Sequence, residues 1–476
     1  MTARTLKAAA LAVALAVPAL AAPPGVPPDW PDPFAMRFDP IAFTPPEPQR
    51  FELPNGIVVY LLEDHTLPLV EGVAYVRASS LLDPPDKVGL AALTADQMRA
   101  GGAGDRAPAA LDEALEFLAA TVEASANPFF AEVRFNTLSD QLPEVLEIFA
   151  DVLMRPRFDP ERLEVARGRM LEAIRRQNDD PVQLAVREFF KRLASGHPAG
   201  NTPTEATVQA ITRADLVAFH ERFYKPNATI LALSGDFDSE AVLDALEATF
   251  ADWKPAAIEY PEIPPFNPRP QPKVYHVPKQ LAQSVILIGH PSVYAYTPAY
   301  NVLDVANGIL GGSGFSSRIV TEIRTKRGLA YATGSSLTQG FTFPGFFFAF
   351  SISRADRTGE VIELMLQEIR RIREEGVSAE ELERQRSIIL NRAVFRFTSP
   401  HAVAQRTARA ELLGLEPGYY ERYLERVQTV TPEEVQAVAQ AELRPEEVII
   451  LVVGDAALFD RPLEAFGEVE VIQPDE

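Results

Sequence analysis

Residues 211–237, ITRADLVAFHERFYKPNATILALSGDF, and residues 430–456, VTPEEVQAVAQAELRPEEVIILVVGDA, align without a gap at a constant offset of 219 positions. Each segment contains a threonine cap (Thr212 or Thr431), an acidic residue three positions later, a helical pattern, a turn, an apolar β-run and a Gly-Asp pair. An offset of this length is too long for a solenoid repeat. The sequence therefore predicts two homologous domains.

A proline-rich segment separates the two repeats. Residues 255–272 contain seven prolines, which is typical of a linker. We expect an N-terminal domain at 49–254 and a C-terminal domain at 273–476. In each half, strand and helix patterns are grouped in a way that favours an α+β fold, with an antiparallel sheet and helices packed on one side.

Hydrophobic periodicity predicts the main elements of each half. In the first half we expect two paired strands at 56–63 and 69–79, then helices at 90–99, 109–122, 142–154 and 159–177. In the second half we expect strands within 274–289 and at 329–337 and 345–353, with helices at 300–310, 359–375 and 379–397.

The first residues resemble a secretory leader. Arg4 and Lys7 precede the apolar run 8–17, and Ala19-Leu20-Ala21 forms a small-x-small cleavage site. We predict a cleaved signal peptide at 1–21, a proline-rich arm at 22–48, and a periplasmic or secreted product. No other stretch approaches the length of a membrane span.

Composition limits the function classes. The 476-residue chain has 47% hydrophobic residues, enough to bury two or more cores, and no cysteine, which excludes disulfides and a lipid-anchor cysteine. Its formal net charge is −21. Removing the predicted leader, with its two positive charges, would make the chain more acidic, so nucleic acid is not expected as a partner.

Residues 308–331, GILGGSGFSSRIVTEIRTKRGLAY, combine a glycine-rich loop with a helix. Either Ser316 or Ser317 could cap a helix that runs to about Arg327, and Gly328 would end it in a left-handed conformation. Arg324 lies one turn before the helix end, and Tyr331 lies just beyond the glycine. This spacing predicts that a guanidinium and a phenol converge beside the loop, although an exposed arginine there could also be a solvated helix cap.

Several motifs together resemble the pitrilysin/insulinase family of zinc metallopeptidases, the inverzincins. The resemblance covers most of the chain, and it is closest to the bacterial two-domain branch and to the subunits of the mitochondrial processing peptidase. It is carried by LPNGIVVYLLEDHTLPLV, VGLAALTADQMRAGG and FDPERLEVARGRMLEAIRRQNDDP, by the Gly-Asp strand ends and by GGSGFSSR…RGLAY. It implies two homologous domains that enclose a chamber.

The family's zinc site is degenerate in this chain. Active members bind zinc through H-x-x-E-H and a later glutamate. The two histidine positions hold Ala92 and Asp96. Ala95 occupies the position of the glutamate between them, and Ala173 occupies the position of the later glutamate. Ala166 replaces a further acidic position. The six histidines show no metal-ligand spacing, and there is no cysteine. We therefore expect no zinc, no other cofactor and no peptide hydrolysis by the chain alone.

The second-domain signature of the family is retained. In active members, an arginine and a tyrosine of the C-terminal half contact the substrate or the tetrahedral intermediate. The motif maps them onto Arg324 and Tyr331. The resemblance also implies substrate contact by the loop residues Gly311, Gly312, Gly314 and Phe315, for which a tight turn before a helix is the alternative explanation.

Loss of the zinc ligands with retention of the arginine and tyrosine leads to one main hypothesis. The chain would be a zinc-free subunit that completes the active site of a zinc-bearing homologous partner, as a heterodimer acting on peptides or unfolded segments. Two alternatives stay open. The chain could be a structural protein, like core subunits of respiratory complexes with this fold, or a stand-alone peptide-binding chamber. The sequence identifies neither the substrate nor the partner, and it does not distinguish a homodimer from a heterodimer.

Overall fold

The computed structural model describes residues 46–267, 271–397 and 399–473, which all belong to one compact unit. The predicted leader at 1–21 and most of the predicted arm at 22–48 lie outside these residues. Among the described residues, no helix combines the length and the apolar character that crossing a bilayer requires.

The first half of the chain builds a six-stranded sheet. Its strands are β1 (Gln49–Glu52), β2 (Val58–Glu63), β3 (Leu69–Val76), β4 (Thr121–Ala126), β5 (Ala131–Leu138) and β6 (Thr229–Gly235). The order across the sheet is β1-β2-β6-β3-β5-β4. All neighbours are antiparallel except β2 and β6, which are parallel.

The second half builds a sheet with the same plan. Its strands are β7 (Lys273–Pro278), β8 (Gln283–Pro291), β9 (Ala330–Leu337), β10 (Phe346–Arg354), β11 (Ile449–Gly454) and β12 (Val469–Val471). The order is β12-β7-β11-β8-β10-β9, and β7 is parallel to both β11 and β12. The glycine of each repeated Gly-Asp pair is the last residue of a central strand, β6 or β11. The predicted α+β class and the two-domain plan are confirmed.

Fourteen α-helices accompany the sheets in the described residues. The first half contains α1 (Leu90–Ala100), α2 (Pro108–Phe117), α3 (Leu142–Met154), α4 (Pro160–Arg175), α5 (Pro181–Leu193), α6 (Glu205–Ala210), α7 (Arg213–Phe223) and α8 (Ser239–Phe250). The second half contains α9 (Pro298–Asn307), α10 (Thr358–Glu375), α11 (Ala379–Ala393), α12 (Pro400–Leu412), α13 (Tyr419–Thr429) and α14 (Pro432–Glu442).

Two predicted details of the first half are wrong. The strands predicted at 56–63 and 69–79 do not pair with each other, because β6 lies between β2 and β3. The helix predicted at 109–122 ends at Phe117, because Ala119 takes a left-handed conformation (φ +49°) and the chain then enters β4. Local periodicity does not reveal that a strand from much later in the chain, β6, is inserted between β2 and β3.

The two halves exchange one helix each. Helix α5 packs on β8 and β11 of the second sheet, and helix α12 packs on β2, β3 and β6 of the first. Helix α5 contributes bulky side chains such as Phe189 to a shared apolar core with Leu287 and Leu451. Helix α12 contributes small side chains, Ala404 and Ala408, against the first sheet. Each sheet therefore has its own helices on one face and a helix from the other half on the opposite face.

Candidate functional site

The glycine-rich motif lies between two wide helical turns in the second half. Gly308–Gly312 and Val320–Lys326 are wound as π-helix, with hydrogen bonds five residues apart instead of four. Such turns are rare and are frequent at functional sites. The predicted helix is therefore present, but it is wound more widely than a regular α-helix. It ends as predicted at Gly328, which is left-handed (φ +64°).

The two serines of the motif do not cap this helix with their side chains. The Oγ of Ser317 donates to the carbonyl of Gly314 at 2.6 Å, and the Oγ of Ser316 donates to the carbonyl of Ser313 at 3.3 Å. The predicted capping role is therefore wrong. Both hydroxyls instead donate to carbonyls three residues earlier, within the tight turn.

Polar contacts attach the motif to its surroundings. The Oγ of Ser335 on β9 donates to Oδ1 of Asn307 at 2.7 Å, next to the first wide turn. Just before the second wide turn, Arg318 binds Glu381 at the start of α11. The Nε–Oε1 distance is 2.7 Å and the Nη2–Oε2 distance is 2.9 Å. The Arg318 guanidinium lowers the pKa of Glu381 to about 2. Because charge-assisted bidentate pairs have a defined geometry, the turn that carries Arg324 is held in a fixed position.

The three glycines of the loop lie in different structural environments. Gly311 is buried against β9, and a Cβ there would lie 2.4 Å from the backbone nitrogen of Ser335. Packing alone therefore requires glycine at 311. Gly314 is exposed and left-handed (φ +65°), and a Cβ there would meet open space. Gly312 is also exposed, so the backbone of 312 and 314 is accessible to a ligand. Substrate contact by these glycines stays a prediction.

Arg324, Phe315 and Tyr331 form a cluster at the surface beside the loop, as the spacing of the arginine and tyrosine predicts. The Cζ of Arg324 lies 4.6 Å from the ring centre of Phe315 and 4.9 Å from that of Tyr331. Phe315 is 68% exposed and Tyr331 80% exposed, so both rings border solvent. The cluster presents a cation and a phenol to whatever binds this surface.

The charge of Arg324 is not neutralised by the described part of the chain, where its guanidinium has neither an ion pair nor a hydrogen bond. The carboxylate of Glu322, on the same turn, is instead bound by Lys326 at 3.0 Å and by Arg327 at 2.8 Å. Hydrogen bonds from these two cations lower the pKa of Glu322. Arg324 therefore remains free to bind an anion or a developing negative charge.

Helix α1 carries Ala92, Ala95 and Asp96, which the sequence resemblance assigns to the zinc motif. It begins after Gly89, which is left-handed (φ +107°), and the N–H groups of Gly89 and Ala91 both donate to the carboxylate of Asp83 at 2.8 Å. Helix α4 packs against α1. The local fold thus brings together α1 and α4, the two helices on which the sequence resemblance places the zinc-ligand positions.

The side chains at the motif positions do not fit zinc. Ala92, Ala95 and Ala173 have no ligand atom, and Asp96 is the one carboxylate among the four. Ala95 is buried, whereas Ala173 is exposed. Within the described ranges, no group of three or more His, Cys, Asp or Glu side chains is arranged to hold a metal ion.

Asp96 has protein partners instead. It accepts a hydrogen bond from Nε2 of Gln97 at 2.8 Å, and its Oδ2 lies 3.7 Å from Nη2 of Arg169 on α4. Arg169 thus supplies positive charge beside the degenerate motif. Sequence reasoning missed this residue because the pairing is between two helices. The one signal was Asp96 itself, an acidic side chain in a largely apolar helix segment.

Several histidines have structural roles. His220, His276 and His290 each bond through a ring nitrogen to a backbone carbonyl. Burial lowers the pKa of His220 and of His290 to about 4, so both rings are neutral near pH 7. These histidines stabilise the folded chain and are not available as metal ligands.

Comparison with known proteins agrees with the geometry. Residues 58–205 match the family model "Insulinase (Peptidase family M16)", and residues 210–389 match the model "Peptidase M16 inactive domain". An uncharacterized zinc protease of Streptomyces coelicolor is 29% identical over 325 residues, which cover 66% of this chain and 70% of that protein.

Solved structures share the fold. A peptidase M16 inactive domain from Pseudomonas fluorescens superposes with a TM-score of 0.80 at 24% identity, over 87% of this chain and 99% of the other. A protease from Helicobacter pylori gives a TM-score of 0.77 at 18% identity, over 86% and 99%. The resemblance seen in the sequence motifs is confirmed. The chain belongs to peptidase family M16, the insulinase family.

Proposed function

We propose that this chain is an exported, zinc-free subunit that lends Arg324 and Tyr331 to the zinc site of a homologous partner during peptide hydrolysis. One observation carries the proposal. The phenol of Tyr331 is exposed, and beside it the half-buried guanidinium of Arg324 has no ion pair within the described residues. The family resemblance meanwhile assigns the zinc positions of the chain to Ala92, Ala95, Asp96 and Ala173.

The chemistry explains why such a pair serves a second chain. When a metal-bound water attacks a peptide carbonyl, the carbonyl oxygen gains negative charge. A guanidinium and a phenol donate hydrogen bonds to that oxygen, and such donors act best when they are already in place. Among the described residues of this chain, no group of three or more ligand side chains is arranged to hold a metal ion. Arg324 and Tyr331 would therefore act in this way on a metal that a partner supplies.

The rest of the proposal follows from the same site. The substrate is a peptide or an unfolded segment, held in a chamber between the two subunits near the exposed backbone of Gly312 and Gly314. The predicted leader at 1–21 supports export.

Reconstitution tests the proposal. The chain is co-expressed with homologous chains that carry an intact H-x-x-E-H, and complexes are isolated and assayed for zinc and for cleavage of a quenched-fluorescent peptide library. We expect a zinc-containing heterodimer that cleaves peptides faster than either subunit alone. A partner that binds but cleaves equally fast without this chain would favour the structural or peptide-binding alternatives.

A further inference from the structure

Phe315 is displayed on the surface by a turn that is held on both sides. The left-handed Gly314 precedes it, and the N–H of Ser317 donates to the carbonyl of Gly314 at 3.0 Å. After the turn, Oγ1 of Thr321 donates to the carbonyl of Phe315 at 3.1 Å. The backbone of Phe315 is thus fixed, although its ring is two-thirds exposed.

The ring of Phe315 contacts Arg324, which is the side chain of the cluster that the proposed function assigns to substrate. A guanidinium over an aromatic face is attracted by the negative charge of the ring's π-system. Tyr331 provides a second such face, but it comes from β9, on the far side of Gly328. Two rings from different segments therefore contact one guanidinium.

We propose that Phe315 is a positioning residue, whose ring holds the Arg324 guanidinium at the place where Tyr331 also presents its phenol. The expected effect of Phe315 on catalysis rests on the proposed function. The positioning of Arg324 by the ring concerns this chain alone. The glycine-rich loop thus acts on substrate partly through Arg324, and not only through its own backbone.

The physical reason is the freedom of the arginine side chain. An arginine at the surface without an ion pair samples many rotamers, and those that point away from the substrate are unproductive. The carboxylate of Glu322, on the same turn, is already bound by Lys326 and Arg327. Within the part of the chain that the structure describes, Arg324 has no ion pair to orient it. A cation–π contact at an exposed site raises the population of one orientation by about two- to fivefold.

Side-chain NMR of the full chain tests the positioning directly, without a partner. The Nε–Hε signal of Arg324 in ¹⁵N-arginine-labelled protein is assigned by its loss in Arg324→Lys. In the wild type we expect a ring-current shift to high field and restricted motion. Phe315→Leu should reduce both, because leucine is apolar but has no aromatic face, and Phe315→Tyr should restore both.

Phe395→Leu is the matched control, since Phe395 is also a largely exposed phenylalanine of the second half. It should leave the Arg324 signal unchanged. If Phe315→Leu unfolds the chain, Phe315→Met replaces it. An Arg324 signal with the same shift and mobility in the folded Phe315 variant as in the wild type would overturn the proposal.

Kinetics of the assembled complex separate this inference from the proposed function. Phe315→Leu should lower kcat about two- to fivefold with little change in KM, and should have no further effect when Arg324 is already alanine. A cost of Phe315→Leu that is equally large in both backgrounds would show that the ring acts by itself, and would overturn the positioning role. No cost for Arg324→Ala would contradict the proposed function, and the NMR result would still decide the role of Phe315.

Discussion

At the scale of single residues, two sets of side chains differ in what they can do. The four positions that the family resemblance assigns to the metal site hold one carboxylate and three alanines, whereas the half-buried Arg324 and the exposed Tyr331 lie next to each other. A carboxylate, Asp96, does remain at one ligand position, but its neighbours are an amide and the guanidinium of Arg169. The first half therefore packs helices α1 and α4 together without a group of metal ligands among the described residues.

The isolated chain should bind no stoichiometric zinc and should cleave no peptide. Alanine at three of the four positions supplies no ligand atom, and one carboxylate cannot bind zinc tightly by itself. Metal analysis of the purified chain after exposure to zinc and dialysis checks this. About one tightly bound zinc per chain would contradict it.

Rebuilding the zinc site should require Arg169 to be removed as well. Ala92→His, Ala95→Glu, Asp96→His and Ala173→Glu restore the ligand types, but Arg169 places a positive charge beside them. We expect Arg169→Met to improve the zinc affinity of this quadruple variant at least tenfold, about 1.4 kcal/mol.

A chelator competition measures that difference. Arg175→Met on the same helix is the control, because the Arg175 guanidinium pairs with Glu205 and not with Asp96. If the quadruple variant binds zinc equally well with and without Arg169, the guanidinium does not influence the metal position. Both variants should be less stable than the wild type, because Ala95 is 1% exposed and a glutamate there must be accommodated in a packed site.

The site residues show what sequence can predict at this scale. The positions of Arg324 and Tyr331 follow from spacing across a helix end, which is a local property, and the structure brings the two side chains together. The pairing of Asp96 with Arg169 and the contact of Phe315 with Arg324 depend on how helices and loops pack. Spacing alone does not reveal them.

At the scale of elements, one ion pair holds the turn that carries Arg324. Arg318→Met should destabilise the chain by about 3 kcal/mol, because Arg318 is largely buried and Glu381 would lose its charged partner. Arg384→Met is the matched control, since its pair with Glu380 on α11 is exposed, and we expect a change below about 1 kcal/mol. Denaturant unfolding measures both, and equal effects of the two variants would contradict the anchoring role.

The same pair makes stability depend on pH in acid. Arg318 holds the folded-state pKa of Glu381 at about 2, below the ordinary value of 4.5. The unfolded chain therefore takes up the proton first as the pH falls. The stabilisation is complete above about pH 4.5 and is lost as the pH falls toward 2. Stability curves of Arg318→Met should lack this component, and an unchanged acid slope would show that the pair does not cause it.

Element prediction succeeded where the pattern is local. Helix α3 begins and ends as predicted, at Leu142 and Met154, because its apolar face is continuous. The helix predicted at 109–122 was too long, because alanines at 119 and 120 suit a helix and the left-handed backbone of Ala119 cannot be read from its identity. The wide π-turns beside the glycine loop were also unforeseen, since they depend on packing against β9 and α11.

At the scale of the whole molecule, the repeat offset of 219 positions extends beyond the segment in which it was found. It relates Pro181–Leu193 to Pro400–Leu412, which are the two exchanged helices α5 and α12. The duplication could be predicted because cap, helix and strand recur in order. The exchange could not, since nothing in an amphipathic helix specifies whether it packs on its own sheet or on that of the other half.

The exchange should make the two halves unfold together. Phe189 belongs to the first half, but it is fully buried against the second sheet, so Phe189→Ala should cost about 3–5 kcal/mol. Hydrogen exchange should then speed up in both β6 and β11. Phe117→Ala, at an 88% exposed position, should change neither strand. Faster exchange in β11 with β6 unaffected would show that the halves unfold independently.

The most direct test of the account is the turnover of the assembled complex with Arg324→Ala and with Tyr331→Phe. If these groups donate to the developing oxyanion, each change should cost about 2.7–4 kcal/mol, or roughly 10²–10³ in kcat, with a smaller change in KM. Both variants should still fold and bind the partner, because both side chains are at the surface. Arg370→Ala and Tyr260→Phe, at exposed positions outside the cluster, should turn over like the wild type. A complex that cleaves as fast with the doubly substituted chain as with the wild type would contradict the central claim and leave a structural or peptide-binding role.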